Sequence, residues 1–390
     1  MRSISVAERR ARLGIRHRLA AGTRSEDPLE IARSLTALHA TDPATVYLQV
    51  AARSRTAGPT HVEQALYGDR TLLRLLAMRR TMFVVPTDFL PALQAAVAEP
   101  LAVKQHRRYG KLIADAGAVD GDVDGWLRDV EDATHKALLE LGEATGARLS
   151  AAEPRLRTQV TLAPGKPYES TTGITTWVLV TLGCEGRIVR GRPNGSWVSS
   201  QYVWSPAETW LPDGVPSTLP VDEARAEVVR RYLRTFGPAS ALDVKWWTGW
   251  TAGEVKKALA GLDTAETDAG IVLADDLEPV AAPEPWAALL PALDATPMGW
   301  KERDFYLDPG HIPSLFDRSG NIGPTVWWDG RIVGGWGQDA TGAVAFRLLE
   351  DVGSDAEAAV TAEAERISAF LDGVRIVPRF RTPLERELSS

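Results

Sequence analysis

The chain has one cysteine, Cys184, in 390 residues. A lone thiol excludes a disulfide within the chain and any zinc cluster built on several cysteines. Long apolar runs are missing too. Nothing approaches the roughly 20 residues that span a bilayer, and the first stretch carries Arg2, Arg9, Arg10, Arg12, Arg16 and Arg18 where a signal peptide would be apolar. A cytoplasmic protein without membrane contact is expected. There is also no phosphate-loop formula, no His-Glu-x-x-His pair and no strand-linked Gly-x-Gly-x-x-Gly, so no metal or other cofactor is expected. Asp120 to Gly125, followed by Glu131, fits the EF-hand formula. However, Trp126, Val130, Ala133, Ala137, Leu138 and Leu141 keep helical spacing straight through it, and a loop that is already helix cannot wrap calcium. Asp124 is better placed as the N-cap of that helix.

Positive charge is in short supply overall, with a net charge of -7, but its distribution is uneven. Residues 1–112 carry 18 Lys or Arg against 9 Asp or Glu, whereas residues 241–390 carry 13 against 25. Such a split can present a basic face to a polyanion whatever the total. It fits equally well with arginines that merely solubilise helices.

What is present is a pattern that recurs three times, two or three short helices followed by a β-hairpin. The first copy has helices over 6–19, 28–40, 45–53 and 61–67, and a hairpin 72–86 with Arg79 and Arg80 at its tip. Asp27 and Pro28 mark the start of the second of these helices. The second copy has helices over 126–141, 147–154 and 173–184, with strands 187–191 and 196–204 around Pro193-Asn194-Gly195, a strong turn signal. The third has helices over 221–235, 239–247 and 252–262 and a hairpin across 267–270. Helix, helix, helix, hairpin is the winged-helix order. After Pro283 the texture becomes β-rich, with a hairpin at Asp329-Gly330, a strand over 343–352, a helix over 355–371 and a strand over 374–377. The expected fold is therefore α+β, with tandem winged-helix domains at 1–112, 113–215 and 216–282 and a β-barrel-like domain at 283–390. Of the 13 tryptophans, Trp246 and Trp247 suit helix packing better than base stacking, and Cys184 suits a core.

Several motifs follow one another in a telling order. They are Leu38-His39-Ala40-Thr41-Asp42-Pro43, Met78-Arg79-Arg80-Thr81, Gly195-Ser196-Trp197, Trp246 to Gly249, Leu290 to Asp294, and Asp329 to Trp336. Together they resemble the AlkZ/YcaQ-type winged-helix DNA glycosylases over nearly the whole chain. The resemblance implies a C-shaped molecule that excises N7-alkylated purines from double-stranded DNA and, in some members, unhooks interstrand crosslinks. It implies catalytic positions at His39 and Thr41, where the family carries Gln-x-Gln, Gln-x-Asp or His-x-Gln. Thr41 thus replaces the residue that holds or activates water, and Phe83 stands where relatives often have histidine.

The residues themselves support this chemistry. On a continuing helix, side chains two apart point about 200° away from each other, so a shared site needs the chain to unwind. Pro43 disfavours helix at Asp42, which predicts a break near Thr41 that turns His39 and Thr41 toward one cleft. Neutral His39 can orient or deprotonate water near neutral pH, and Thr41 can hold that water but cannot act as a base. Without the resemblance, His39 better suits a buried histidine satisfied at a helix end. Asp42 either supplies a negative charge or caps the next helix, the cap being favoured. Arg79, Arg80, Arg190 and Arg192 are the expected phosphate contacts of a monomer on DNA. The alternative is a non-catalytic winged-helix protein that binds DNA or a toxin, because Thr41 lacks the chemistry of Gln or Asp.

Overall fold

The computed structural model describes residues 2–211 and 219–390. It is an α+β structure whose chain divides into two compact units. The first unit comprises Met1–Leu72, Phe83–Pro86 and Ala226–Ser390, and the second Leu73–Met82 and Thr87–Arg225. Its main elements, in chain order, are α1 (Val6–Arg16), α2 (Pro28–Ser34), β1 (Leu38–His39), α3 (Pro43–Arg53), β2 (Leu72–Leu76) and β3 (Met82–Pro86). Next come α4 (Glu99–Asp115), α5 (Val123–Leu141), β4 (Gln159–Leu162), β5 (Ser170–Gly173), α6 (Thr175–Cys184), β6 (Ile188–Pro193) and β7 (Tyr202–Pro206). The last part holds α7 (Val221–Phe236), α8 (Ala241–Thr248), α9 (Ala252–Ala260), β8 (Thr264–Thr267), β9 (Gly270–Leu273), β10 (Ala287–Leu290), β11 (Thr325–Trp328), β12 (Arg331–Gln338), β13 (Val344–Leu348) and α10 (Ser354–Leu371).

In the first unit, side-chain caps set where helices begin. Asp27 accepts the Leu29 N–H ahead of α2, and Ser240 with Asp243 and Thr251 with Glu254 form capping boxes on α8 and α9. All eleven residues of α3 are buried, so this helix runs through the core instead of lying on it. Trp247 is 5% exposed in an aromatic cluster with Tyr232 and Phe236, whereas Trp246 is half-buried beneath the guanidinium of Arg303.

Two expectations need correction here. The C-terminal segment is an open four-stranded antiparallel sheet in the order β10-β11-β12-β13, with α10 against it, and it does not close into a barrel. Residues 374–377 are not a strand. Instead, Gln338 Nε2 donates to the Val374 carbonyl at 3.0 Å and the Ile376 N–H donates to Gln338 Oε1 at 2.7 Å, so one buried amide holds this segment beside β12. At Gly334 a Cβ would collide with the Arg347 carbonyl, and glycine there lets β12 and β13 approach.

The uneven charge also has a structural use. Asp276 takes Arg12 at 3.0 Å and Arg16 at 2.6 Å, Glu363 takes Arg24 at 2.6 Å, and Asp294 takes Arg53 at 2.7 Å. Four arginines of the N-terminal segment are therefore paired with carboxylates from the acidic C-terminal half within this unit.

The second unit packs α4, α5 and α6 around Ile113, Leu127, Val130, Leu138 and Leu182. Burial of each such side chain stabilises by about 1.5–3 kcal/mol. Helix α5 runs unbroken through the EF-hand-like segment, with Asp122 as its cap in place of Asp124. Asp124 accepts from His106 Nε2 at 3.0 Å. The sequence does not mark the β4–β5 hairpin, because the alternation in Gln159–Leu162 lasts only four residues and Ser170–Gly173 has no apolar residue. Strands β6 and β7 pair across a wider loop than the Asn194-Gly195 signal suggests, since β7 starts at Tyr202. The Cys184 thiol is buried, and burial pushes its pKa up to about 12. No helix among the described residues is long and apolar enough to cross a membrane.

Candidate active site

The helix α2 ends earlier than apolar spacing suggests, at Ser34. Thr36 adopts a left-handed conformation with φ 64°, and its hydroxyl donates to the Arg231 carbonyl at 3.1 Å. The chain then enters β1, which pairs with β3 so that His39 faces Phe83. His39 is therefore a strand residue and not the last turn of a helix. Strand β1 ends at His39, and Thr41 lies beyond it, in the bend that precedes α3.

The His39 imidazole is 4% exposed, more enclosed than an open-cleft position would be, and meets the edge of Phe83 with centroids 5.3 Å apart. Its Nδ1 lies buried. Thr41 is half-buried in the bend before α3.

One side chain that the sequence did not single out fixes His39. Gln49, on α3, donates through Nε2 to the His39 carbonyl at 3.0 Å and accepts the His39 N–H through Oε1 at 3.4 Å. The same amide accepts the Ala295 N–H at 3.1 Å. Arg53 donates to the Gln49 carbonyl at 2.9 Å and to both oxygens of Asp294, and its Nε donates to the His17 carbonyl at 2.9 Å. Thr296 accepts from Arg53 at 2.8 Å and from or to His17 Nδ1 at 2.8 Å. Gln49, Arg53 and Asp294 are wholly buried. A satisfied polar network of this kind holds one backbone geometry, because every alternative strands a buried charge.

Asp42 caps α3. Its Oδ1 accepts the Ala44 N–H at 3.1 Å and its Oδ2 accepts the Arg379 N–H at 3.1 Å. Burial raises its pKa above the ordinary carboxylate value, partly offset by these two hydrogen bonds. The carboxylate thus performs the capping role, with both oxygens already in use.

The four arginines belong to the second unit. Arg79 and Arg80 form a tight turn in which both residues are left-handed, with φ 54° and 58°, closed by the Ala77 N–H on the Thr81 carbonyl at 2.9 Å. Non-glycine residues in such conformations cost of order 1 kcal/mol each and cluster at functional sites. Arg80 is exposed and Arg79 half-buried. In the second hairpin Arg192 is exposed, while Arg190 is drawn inward, its guanidinium 5.1 Å from the ring centroids of both Tyr202 and Trp204.

Among the described residues no group of three or more His, Cys, Asp or Glu could hold a metal ion. The sequence model of the family described as DNA glycosylase AlkZ-like matches residues 32–370. The solved structure of Streptomyces sahachiroi DNA glycosylase AlkZ is similar with a TM-score of 0.73 at 20% identity, over 97% of this chain and 99% of that one. Comparison with curated proteins gives no match.

Proposed function

Because the chain belongs to the AlkZ-like DNA glycosylase family of DNA-repair hydrolases, we propose that its substrate is double-stranded DNA carrying a bulky or cationic alkylpurine of the N7-alkylguanine type, extending to interstrand crosslinks. Alkylation at N7 makes the base cationic and weakens its glycosidic bond. The enzyme then has two tasks: to position one water and to stabilise positive charge growing on the sugar.

His39 orients and deprotonates the water through its imidazole, and the Thr41 hydroxyl holds it. Asp42 contributes through its negative charge nearby while capping α3. The hairpins act as the wings of winged-helix modules, with Arg79, Arg80 and Arg192 on the phosphate backbone. The observation that carries this reading is the Gln49 clamp on both backbone groups of His39. One buried amide satisfies both backbone groups of His39 and so fixes the strand end that carries the imidazole, and a catalytic group gains from fixed orientation.

Incubation with duplex DNA carrying N7-methylguanine tests it. Free N7-methylguanine is expected, with release by His39→Ala reduced about 10²- to 10⁴-fold, the usual range for general acid–base groups. A His39→Ala protein that releases base at the unmodified rate would show that the imidazole is not the base.

A further inference from the structure

The second unit holds a cleft of about 540 Å³, lined by Thr145, Thr176, Arg190, Gln201, Tyr202 and Trp204 among others. That volume lies in the range of small-molecule sites and is too large for a lone anion. The charge inside it is unusual. Arg190 lies against the rings of Tyr202 and Trp204, its Nε is buried without an acceptor, and the charge acting on it from nearby is that of another arginine, Arg74. Arg74 also lies over the Tyr202 ring, at 5.0 Å. Burial lowers the Arg190 pKa, and the Arg74 charge lowers it further.

A guanidinium withdrawn from water without an anion is an energetic cost that a bound anion would remove. Two other inward arginines do have such partners, Arg53 in Asp294 and Arg16 in Asp276. The first turn of α6, at Thr175 and Thr176, opens on the same cleft and has no side-chain cap, so its N–H groups favour an anion there as well. Around this positive end stand an indole, and the amides and hydroxyls of Asn194, Gln201 and Ser200, which suit a flat ring with hydrogen-bonding edges.

We propose that this cleft binds a nucleoside phosphate, with the phosphate on Arg190 and the base against Trp204. It is separate from hydrolysis at His39, which belongs to the other unit. The nucleotide comes either free from solution or as an unpaired residue of a DNA strand, and the two share one chemistry.

Titration calorimetry on the intact protein tests it with deoxyguanosine monophosphate, deoxyguanosine and inorganic phosphate as probes. The monophosphate should bind at least about tenfold more tightly than either fragment, and Arg190→Gln should weaken it at least about tenfold, the loss of one charge-assisted contact. Arg190→Lys should restore part of the binding. Gln201→Ala, at an exposed position, provides a second variant that does not disturb the packing of Arg190, and it should weaken the monophosphate but not inorganic phosphate. Displacement of the monophosphate by a single-stranded pentanucleotide identifies a strand as the source, and its failure to displace identifies the free nucleotide. Equal affinity for monophosphate and deoxyguanosine, no binding of any probe, or unchanged binding in Arg190→Gln would each overturn the assignment. His39→Ala should bind the monophosphate as the unmodified protein does, so failure of the cleft is distinguishable from failure at His39.

Discussion

Arg53 and Asp294 lie 241 residues apart in sequence and form two parallel N–H···O bonds of 2.8 and 2.7 Å. Neither side chain is exposed. The pair ties α3 to the segment after β10, and through the Gln49 carbonyl and amide it reaches the backbone of His39. Breaking one partner of a buried pair leaves an uncompensated charge, so Asp294→Ala should lose about 3–5 kcal/mol of stability. Replacing both partners by apolar residues of similar volume should cost much less. Urea unfolding of the single and double variants checks this. Additive losses in the double variant would show that the two groups do not act as a pair.

Gln49 has a different role: it bonds the backbone of His39, and under the proposed function that makes it a positioning residue. Gln49→Leu keeps the volume but removes the amide, and it should lower base release about 10²-fold through misplacement of His39. The loss should fall on kcat and leave KM nearly unchanged, a pattern that general destabilisation would not produce. Gln49→Glu restores one acceptor and no donor, so it should recover only a fraction of the rate.

The sequence made the helices and caps legible, and the reason is local. Asp27-Pro28 and the spacing of α5 are decided within a few residues, although the cap of α5 falls on Asp122 and not on Asp124. The shape of the site was not legible, because distant contacts decide it. Leu35 to Ala40 has helical apolar spacing, yet Thr36 turns left-handed against the Arg231 carbonyl, 195 residues away. The carboxylate that neutralises Arg12 is 264 residues distant, which is why the basic N-terminal segment resembles a polyanion surface when read alone. Gln49 was hidden for a third reason. Every residue of α3 is buried, so no periodicity sets one apart from its neighbours.

His17 should make the first unit sensitive to acid. It is fully buried, accepts or donates to Thr296 at 2.8 Å, and stacks near Trp300. Burial and then the Arg53 charge lower its pKa to about 3. Its unfolded value is about 6.5. The neutral form is therefore the folded one, and the stability tied to it is full above about 6.5 and is lost as pH falls toward about 3. Unfolding midpoints measured down this range should fall more steeply for the unmodified protein than for His17→Asn. Parallel curves would remove His17 from the account.

His106 in the second unit should act with the opposite sign. Its Nδ1 lies 3.0 Å from Glu131 and its Nε2 3.0 Å from Asp124, joining α4 to α5. The hydrogen bond to Glu131 raises its pKa, against burial and the nearby Arg128 charge. Its contribution is then complete below the unfolded value of about 6.5 and is lost as pH rises through the raised folded value. Glu131→Gln should flatten this alkaline loss. Following the His106 ring protons by NMR as pH is raised measures the shift directly, and a midpoint at or below the model-peptide value would contradict it.

The phosphate contacts can be separated from the strained turn that carries one of them. Arg80 is exposed with φ 58°, a conformation that asparagine tolerates better than most residues, so Arg80→Asn removes the charge while keeping the turn. Arg192→Gln does the same on the exposed part of the second hairpin. A phosphate contact binds by releasing counterions, and each one lost should reduce the slope of log affinity against log salt by about 1, equally for any duplex sequence. Base release at saturating DNA should hardly change, because the proposed function places both residues on the phosphate backbone and not on the lesion. If Arg80→Asn left the salt slope intact but lowered the rate at saturation, Arg80 would be acting on the lesion instead of the backbone, and the turn's left-handed pair would then belong to catalysis.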